Sequence, residues 1–154
     1  MTEIKDHFQG KRIIIEKTKS PGHAVHIAQK YALNSSEPVH IFVCGGDGTL
    51  HEVVNGIAGC KHISLSIIPI GTGNDFIKSF GDYQKDDFLD LSKYDESVEQ
   101  KCDLLKINGE YAINTVSFGF DVNVAKHVNH FRDKIPVGGI IPYYVGMLQV
   151  FLSR

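Results

Sequence analysis

An α/β domain with a mostly parallel sheet is the fold class this sequence predicts, and three observations predict it. Short runs rich in β-branched residues alternate with stretches of helical period. Two of those runs, ending at Cys44 and Ile70, pass directly into glycine-rich turns. Between them Leu50, Val53, Val54 and Ile57 fall at i, i+3, i+4 and i+7, which is one apolar face of a helix.

From the N-terminus, Glu3 to Phe8 reads as the end of a helix closed by Gly10. Arg12 to Lys17 carries three consecutive isoleucines and is expected to be a short buried strand. Gly22 to Leu33 is expected to be a helix, with Val25, Ala28 and Ala32 at helical spacing. Val39 to Cys44 and Ser64 to Ile70 are the next two strands, with the helix containing Leu50 to Ile57 between them. Beyond about Gly81 the texture changes. Asp82 to Glu99 is polar and acidic and reads as a surface segment. Leu104 to Asn108 and Tyr111 to Ser117 then flank Asn108-Gly109, the strongest short-range hairpin signal.

Composition narrows the function classes. With 154 residues, 42% apolar and 22% charged, the chain is long enough for one domain with a core, or one domain and part of another. A formal net charge of −2 supplies no basic field to recruit nucleic acid. Three cysteines, Cys44, Cys60 and Cys102, show neither disulfide nor metal spacing, which fits a reducing, cytoplasmic compartment. No apolar signal-peptide core follows Met1. Ile135 to Leu152 is uncharged, but Pro136, Gly138, Gly139, Pro142 and Gly146 interrupt it. A buried or interfacial helix from Pro142 to Arg154 is therefore expected in place of a transmembrane span.

The chemistry concentrates in the two turns, since ligands of parallel α/β sheets bind at the carboxyl ends of strands. Gly45-Gly46-Asp47-Gly48-Thr49 holds three glycines in four residues, so backbone amides can approach a ligand closely. The helix that comes next aims its N-terminal amides and positive dipole end at the same place, which favours phosphate. Thr49 and Glu52 have the Thr-x-x-Glu spacing of a capping box. Taken alone, the turn also reads as a tight connection with Thr49 capping the helix. Asp47 argues for more, because a carboxylate beside phosphate needs compensation. It would share Mg²⁺ with the phosphate oxygens, or act as a base toward an attacking hydroxyl. The second turn, Gly71-Thr72-Gly73-Asn74-Asp75, again offers glycines, a hydroxyl and a carboxylate where a helix is expected to begin. Phe76 stands where a dinucleotide fingerprint needs its third glycine, and no P-loop is present.

Gly45-Gly46-Asp47-Gly48-Thr49-Leu50-His51-Glu52-Val53-Val54-Asn55-Gly56, with Gly71-Thr72-Gly73-Asn74-Asp75-Phe76 after it, resembles the signature of the diacylglycerol kinase catalytic family. Gly-Gly-Asp-Gly by itself is shared with NAD kinases; Glu-Val-Val-Asn-Gly and Gly-Thr-Gly-Asn-Asp favour the lipid kinases. The resemblance implies a nucleotide-binding α/β domain over 1–98 and the start of a second, β-rich domain over 99–154. It implies ATP and Mg²⁺, with Gly45 to His51 (Leu50 included) around the phosphates, and Gly71, Thr72, Gly73 and Asn74 close by. Thr18 matches another ATP-contacting threonine. Asp47 is the expected catalytic and metal residue, with Asp75 and Asp121 on the side of the lipid substrate. Asn114, Ser117, Gly119 and Asp121 resemble the opening of the second domain. For Thr18 a strand-end role and for Asp121 a helix N-cap remain alternatives. The resemblance further implies a lipid hydroxyl as acceptor, most simply diacylglycerol, at the inner membrane surface, with no nucleic-acid partner. The family's opening strand and its downstream acids find no match here, so the chain reads as clipped at both ends. Homo-oligomers are expected from any sheet surface left uncovered. NAD-kinase-like phosphorylation of a soluble nucleotide, and nucleotide binding without turnover, stay as alternatives. His127 and His130 at i, i+3 read as a solvated helix face, and Tyr143, Tyr144 and Phe151 as packing residues.

Overall fold

A computed structural model describes residues 2–118 and 122. Residues Met1–Asn114 form one compact unit and Thr115–Arg154 a second. Gly119, Asp121, His127, His130, Tyr143, Tyr144, Phe151 and the expected helix from Pro142 to Arg154 lie outside the described residues.

Within the first unit, helix α1 (Thr2–His7) precedes α2 (His23–Asn34), strand β1 (Val39–Gly45), helix α3 (Asp47–Ile57) and strand β2 (Ile63–Pro69). Next come three 3₁₀ turns, at Phe76–Phe80, Lys85–Phe88 and Leu91–Tyr94, and then a hairpin of β3 (Leu105–Ile107) and β4 (Glu110–Ala112). β1 and β2 are parallel, in register from Val39 beside Ile63 to Gly45 beside Pro69. Parallel neighbours need a crossover, and α3 supplies it. Because the strands end level, the glycine-rich turns at their ends emerge side by side.

The helix face read from the sequence is the one buried. Leu50, Val53, Val54 and Ile57 all lie in the core, against Val43, Ile67 and Ile77. Each such aliphatic side chain contributes about 1.5–3 kcal/mol on burial. The buried face of α2 is Ala24, Ala28 and Ala32, and Val25 stands half-buried beside it. Small side chains at i, i+4 and i+8 let α2 approach α3 closely. A Cβ on Gly56 would meet Ala28 Cβ at 2.6 Å and the Val25 carbonyl oxygen at 2.7 Å. On another part of the sheet Phe42 packs against Phe8 and Tyr94, with ring centroids 5.1 and 5.3 Å away.

Two expectations are corrected. Residues 12–19 make no strand, and Ile14 is 53% exposed. Three isoleucines supply propensity, but a strand exists only where a neighbouring backbone pairs with it. The segment is held by side chains instead: Glu16 accepts from Lys30 Nζ at 3.0 Å and Tyr31 Oη at 3.1 Å. The second glycine-rich turn leads into a 3₁₀ turn, not an α-helix. The hairpin forms as expected but shorter, with Asn108 at φ 51° and Gly109 at φ 89°, the pair of positive φ values that a type I′ turn requires.

Candidate active site

α3 begins at Asp47, with Gly46 as its N-cap and no side chain capping it. The first intrahelical bond runs from Leu50 N to Gly46 O at 3.1 Å. The amides of Asp47, Gly48 and Thr49 therefore have no intrahelical acceptor. The expected Thr49–Glu52 capping box is absent, because Thr49 lies inside the helix and Glu52 is used elsewhere. Glu52 Oε1 accepts from Gly22 N at 2.7 Å and Oε2 from Ala24 N at 3.0 Å, so it caps α2 from α3.

The two turns touch. A Cβ on Gly71 would lie 2.4 Å from Gly46 Cα, and the amides of Ile70 and Gly71 donate to Gly45 O at 3.1 and 3.3 Å. Asp47 Oδ1 accepts from Asp75 N at 2.7 Å, which ties the acid of one turn to the backbone of the other. Asp75 Oδ1 in turn pairs with Lys78 Nζ. The Asp75 contact raises the Lys78 pKa, and the charge of Asp47 adds a smaller push. Both remaining carboxylate oxygens border the space over Gly73. A Cβ there would sit 2.8 Å from Asp47 Oδ2 and 3.8 Å from Asp75 Oδ2. Glycine at 73 keeps that space open.

Asn74 holds the second turn. It is 6% exposed, at φ 50°, and its Nδ2 donates to Gly71 O at 2.6 Å. Its Oδ1 is a buried acceptor without a partner among the described residues. An orphaned acceptor of this kind is costly unless something meets it.

Thr18, Lys19, Ser20 and Pro21 face Gly48, Thr49 and Glu52 across an open cleft of about 470 Å³. Tertiary structure thus brings Thr18 to the first turn, across a long separation in sequence. Thr72 and His51 are exposed beside the joined turns, and the His51 ring lies 3.5 Å from Asn55 Nδ2. Leu50 departs from its expected place around the phosphates. Its side chain is 2% exposed in the core and its amide is taken by Gly46 O, because the i, i+3, i+4 face to which it belongs points inward.

Asn55, in sequence no more than one position of a motif, joins α3 to the hairpin. Its Nδ2 donates to Tyr111 O at 2.8 Å and its Oδ1 accepts from Tyr111 N at 2.8 Å, so it pairs with the backbone of β4 like a neighbouring strand. Nothing in the one-dimensional pattern signals a partner 56 positions away. Among the described residues, no group of three or more His, Cys, Asp or Glu gathers as a metal cluster. No helix among them is long and apolar enough to cross a membrane.

The fold and the joined turns define an α/β protein whose candidate site lies at the carboxyl ends of parallel strands. The family model described as diacylglycerol kinase catalytic domain matches residues 1–107. The chain therefore belongs to the diacylglycerol kinase catalytic-domain family, a family of lipid kinases. It is similar to a protein of Bacillus subtilis (strain 168) named "Diacylglycerol kinase", 36% identical over 66% of this chain and 33% of that protein. It is also similar to the same organism's "Putative lipid kinase YtlR", 32% identical over 74% of this chain and 40% of that protein. The chain thus spans well under half the length of these relatives. No solved structure matches it.

Proposed function

We propose that this chain is the ATP-binding part of a lipid kinase that transfers the γ-phosphoryl group of ATP to a lipid hydroxyl, with diacylglycerol as acceptor. One observation carries the reading: the Asp47 carboxylate is tied to Asp75 N directly beside three amides of α3 that lack intrahelical acceptors. A helix N-terminus attracts phosphate, and an acid at the same point requires a cation or a hydroxyl as its counterpart.

The residues suit Mg²⁺. Mg²⁺ is usually held by one or two carboxylates together with substrate phosphates. Asp47 Oδ2 and Asp75 Oδ2 both border the space over Gly73, while the Oδ1 atoms are already engaged by Asp75 N and Lys78. When bound, the ion would neutralise charge on the phosphates. The chain's own contribution is positioning: the amides of Asp47, Gly48 and Thr49 orient the phosphates, and Thr18 and Thr49 offer hydroxyls from opposite walls of the cleft. Phosphoryl transfer depends mainly on such placement and on charge complementarity.

Asp75 is assigned to the lipid side of the reaction; Asp121, which lies outside the described residues, is proposed as a lipid contact. The acceptor would be drawn from the inner, cytoplasmic surface of the membrane, with the protein peripheral to it. We assign residues 1–98 to nucleotide binding and 99–154 to lipid binding. The decisive assay offers diacylglycerol and NAD side by side to the full-length enzyme with ATP and Mg²⁺. Phosphorylated diacylglycerol is the expected product. Phosphorylated NAD alone would transfer the reading to a soluble nucleotide acceptor.

A further inference from the structure

Glu52 belongs to a recognisable stretch of sequence, but its position in the fold asks for a reason. It is on the second turn of α3, and its carboxylate reaches across to the start of α2. There it accepts from Gly22 N at 2.7 Å and from Ala24 N at 3.0 Å. Gly22, the N-cap of α2, sits at φ 83° and has no side chain to do this itself. The loop just before it, Thr18 to Pro21, is one wall of the open cleft, and Glu52 lines that cleft with Gly48 and Thr49. A second tie from within the loop runs from Lys19 N to His23 Nδ1 at 3.0 Å. A carboxylate in this place would repel a phosphate if it were bare. Two charge-assisted bonds from the positive end of α2 offset its charge.

We propose that Glu52 is a positioning residue for nucleotide: it locks the Thr18 loop at a set distance from the first turn of α3, and so fixes the width of the cleft. The proposal rests on the nucleotide reading above. The loop has one backbone bond of its own, from His23 N to Ser20 O at 3.2 Å, and Glu16 anchors the segment before it to Lys30 and Tyr31. The Glu52 bonds are the ties that join it to α3.

The test is calorimetric titration of ADP into the full chain and its variants. Glu52→Gln keeps the volume but turns one acceptor into a donor facing an N–H. ADP affinity is expected to fall by about tenfold, the usual effect of losing one charge-assisted bond. Glu52→Ala is expected to fall further. Ile57→Val, a mild core loss at the far end of α3, is the control for general destabilisation. It should lower the melting temperature and leave ADP affinity within about twofold. Hydrogen exchange at the amides of Gly22 and Ala24 should speed up in both Glu52 variants and not in Ile57→Val. The proposal is overturned if Glu52→Gln binds ADP like the unmodified chain, or if Ile57→Val weakens binding equally. Should the unmodified chain take up no ADP at all, the nucleotide reading falls with it. The exchange data would then still show whether Glu52 holds the loop.

Discussion

The two glycine-rich turns have nearly the same ingredients and the same place at the end of a parallel strand, yet the fold uses them differently. Gly45 to Thr49 runs into a true α-helix, so its amides point outward in a row with the dipole behind them. Gly71 to Asp75 runs into a short 3₁₀ turn and turns inward. Its Asn74 is buried at positive φ, and its Asp75 amide is spent on Asp47. The first turn leaves helix-start amides without intrahelical acceptors; the second braces the first. Composition alone did not distinguish them, because the difference lies in the element each turn leads into.

That comparison can be broken at its strongest point. Asp47→Asn in the full-length enzyme keeps an acceptor for Asp75 N and removes the charge. Activity on lipid should fall by about 10²–10³-fold, with the melting temperature little changed. Retained activity would mean the first turn presents no reactive acid.

The bracing role predicts a different signature. Gly71→Ala places a methyl 2.4 Å from Gly46 Cα, so the turns must separate. Stability should drop by about 1–3 kcal/mol in denaturant titration, and activity should drop with it. Gly73→Ala sharpens the contrast. Its methyl would press on Asp47 Oδ2 at 2.8 Å without touching backbone, so Mg²⁺-dependent ADP binding should weaken while stability is nearly kept. Equal stability losses in both variants would erase the distinction between the turns.

Smaller effects test the scaffold beneath the turns. Tyr94 Oη lies 2.7 Å from Ile67 O and 2.8 Å from Phe88 O, and burial pushes its pKa up to about 12. The unfolded phenol loses its proton near pH 10. The contribution of Tyr94 is therefore full below pH 10 and is lost as pH rises through about 12. Tyr94→Phe should cost about 1 kcal/mol at neutral pH and flatten the alkaline part of the stability curve.

His40, between Ser64 Oγ at 2.7 Å and Ser66 Oγ at 2.9 Å, gives the smallest effect. Burial holds its pKa below the usual 6.5, outweighing the pull of Glu99. The unfolded chain then binds the proton more readily, so stability should decline as pH falls below 6.5. A shallower decline in His40→Gln, measured by urea titration between pH 7 and 5, is the expected result.

Local pattern determined a good deal of this protein. The face of α3, the Asn108-Gly109 hairpin and both glycine-rich turns were legible because each depends on neighbours within a few positions. The family signature was legible for the same reason, being continuous along the chain. Only the tertiary structure decided the rest. It made Arg12 to Lys17 an unpaired segment, because pairing depends on a second backbone. It moved Glu52 from a local cap to a distant one, and it gave Asn55 the backbone of Tyr111 as partner. Above all it joined the two turns. The in-register ends of β1 and β2 bring Gly46 against Gly71 and Asp47 against Asp75, and register is a property of two strands that neither strand carries alone.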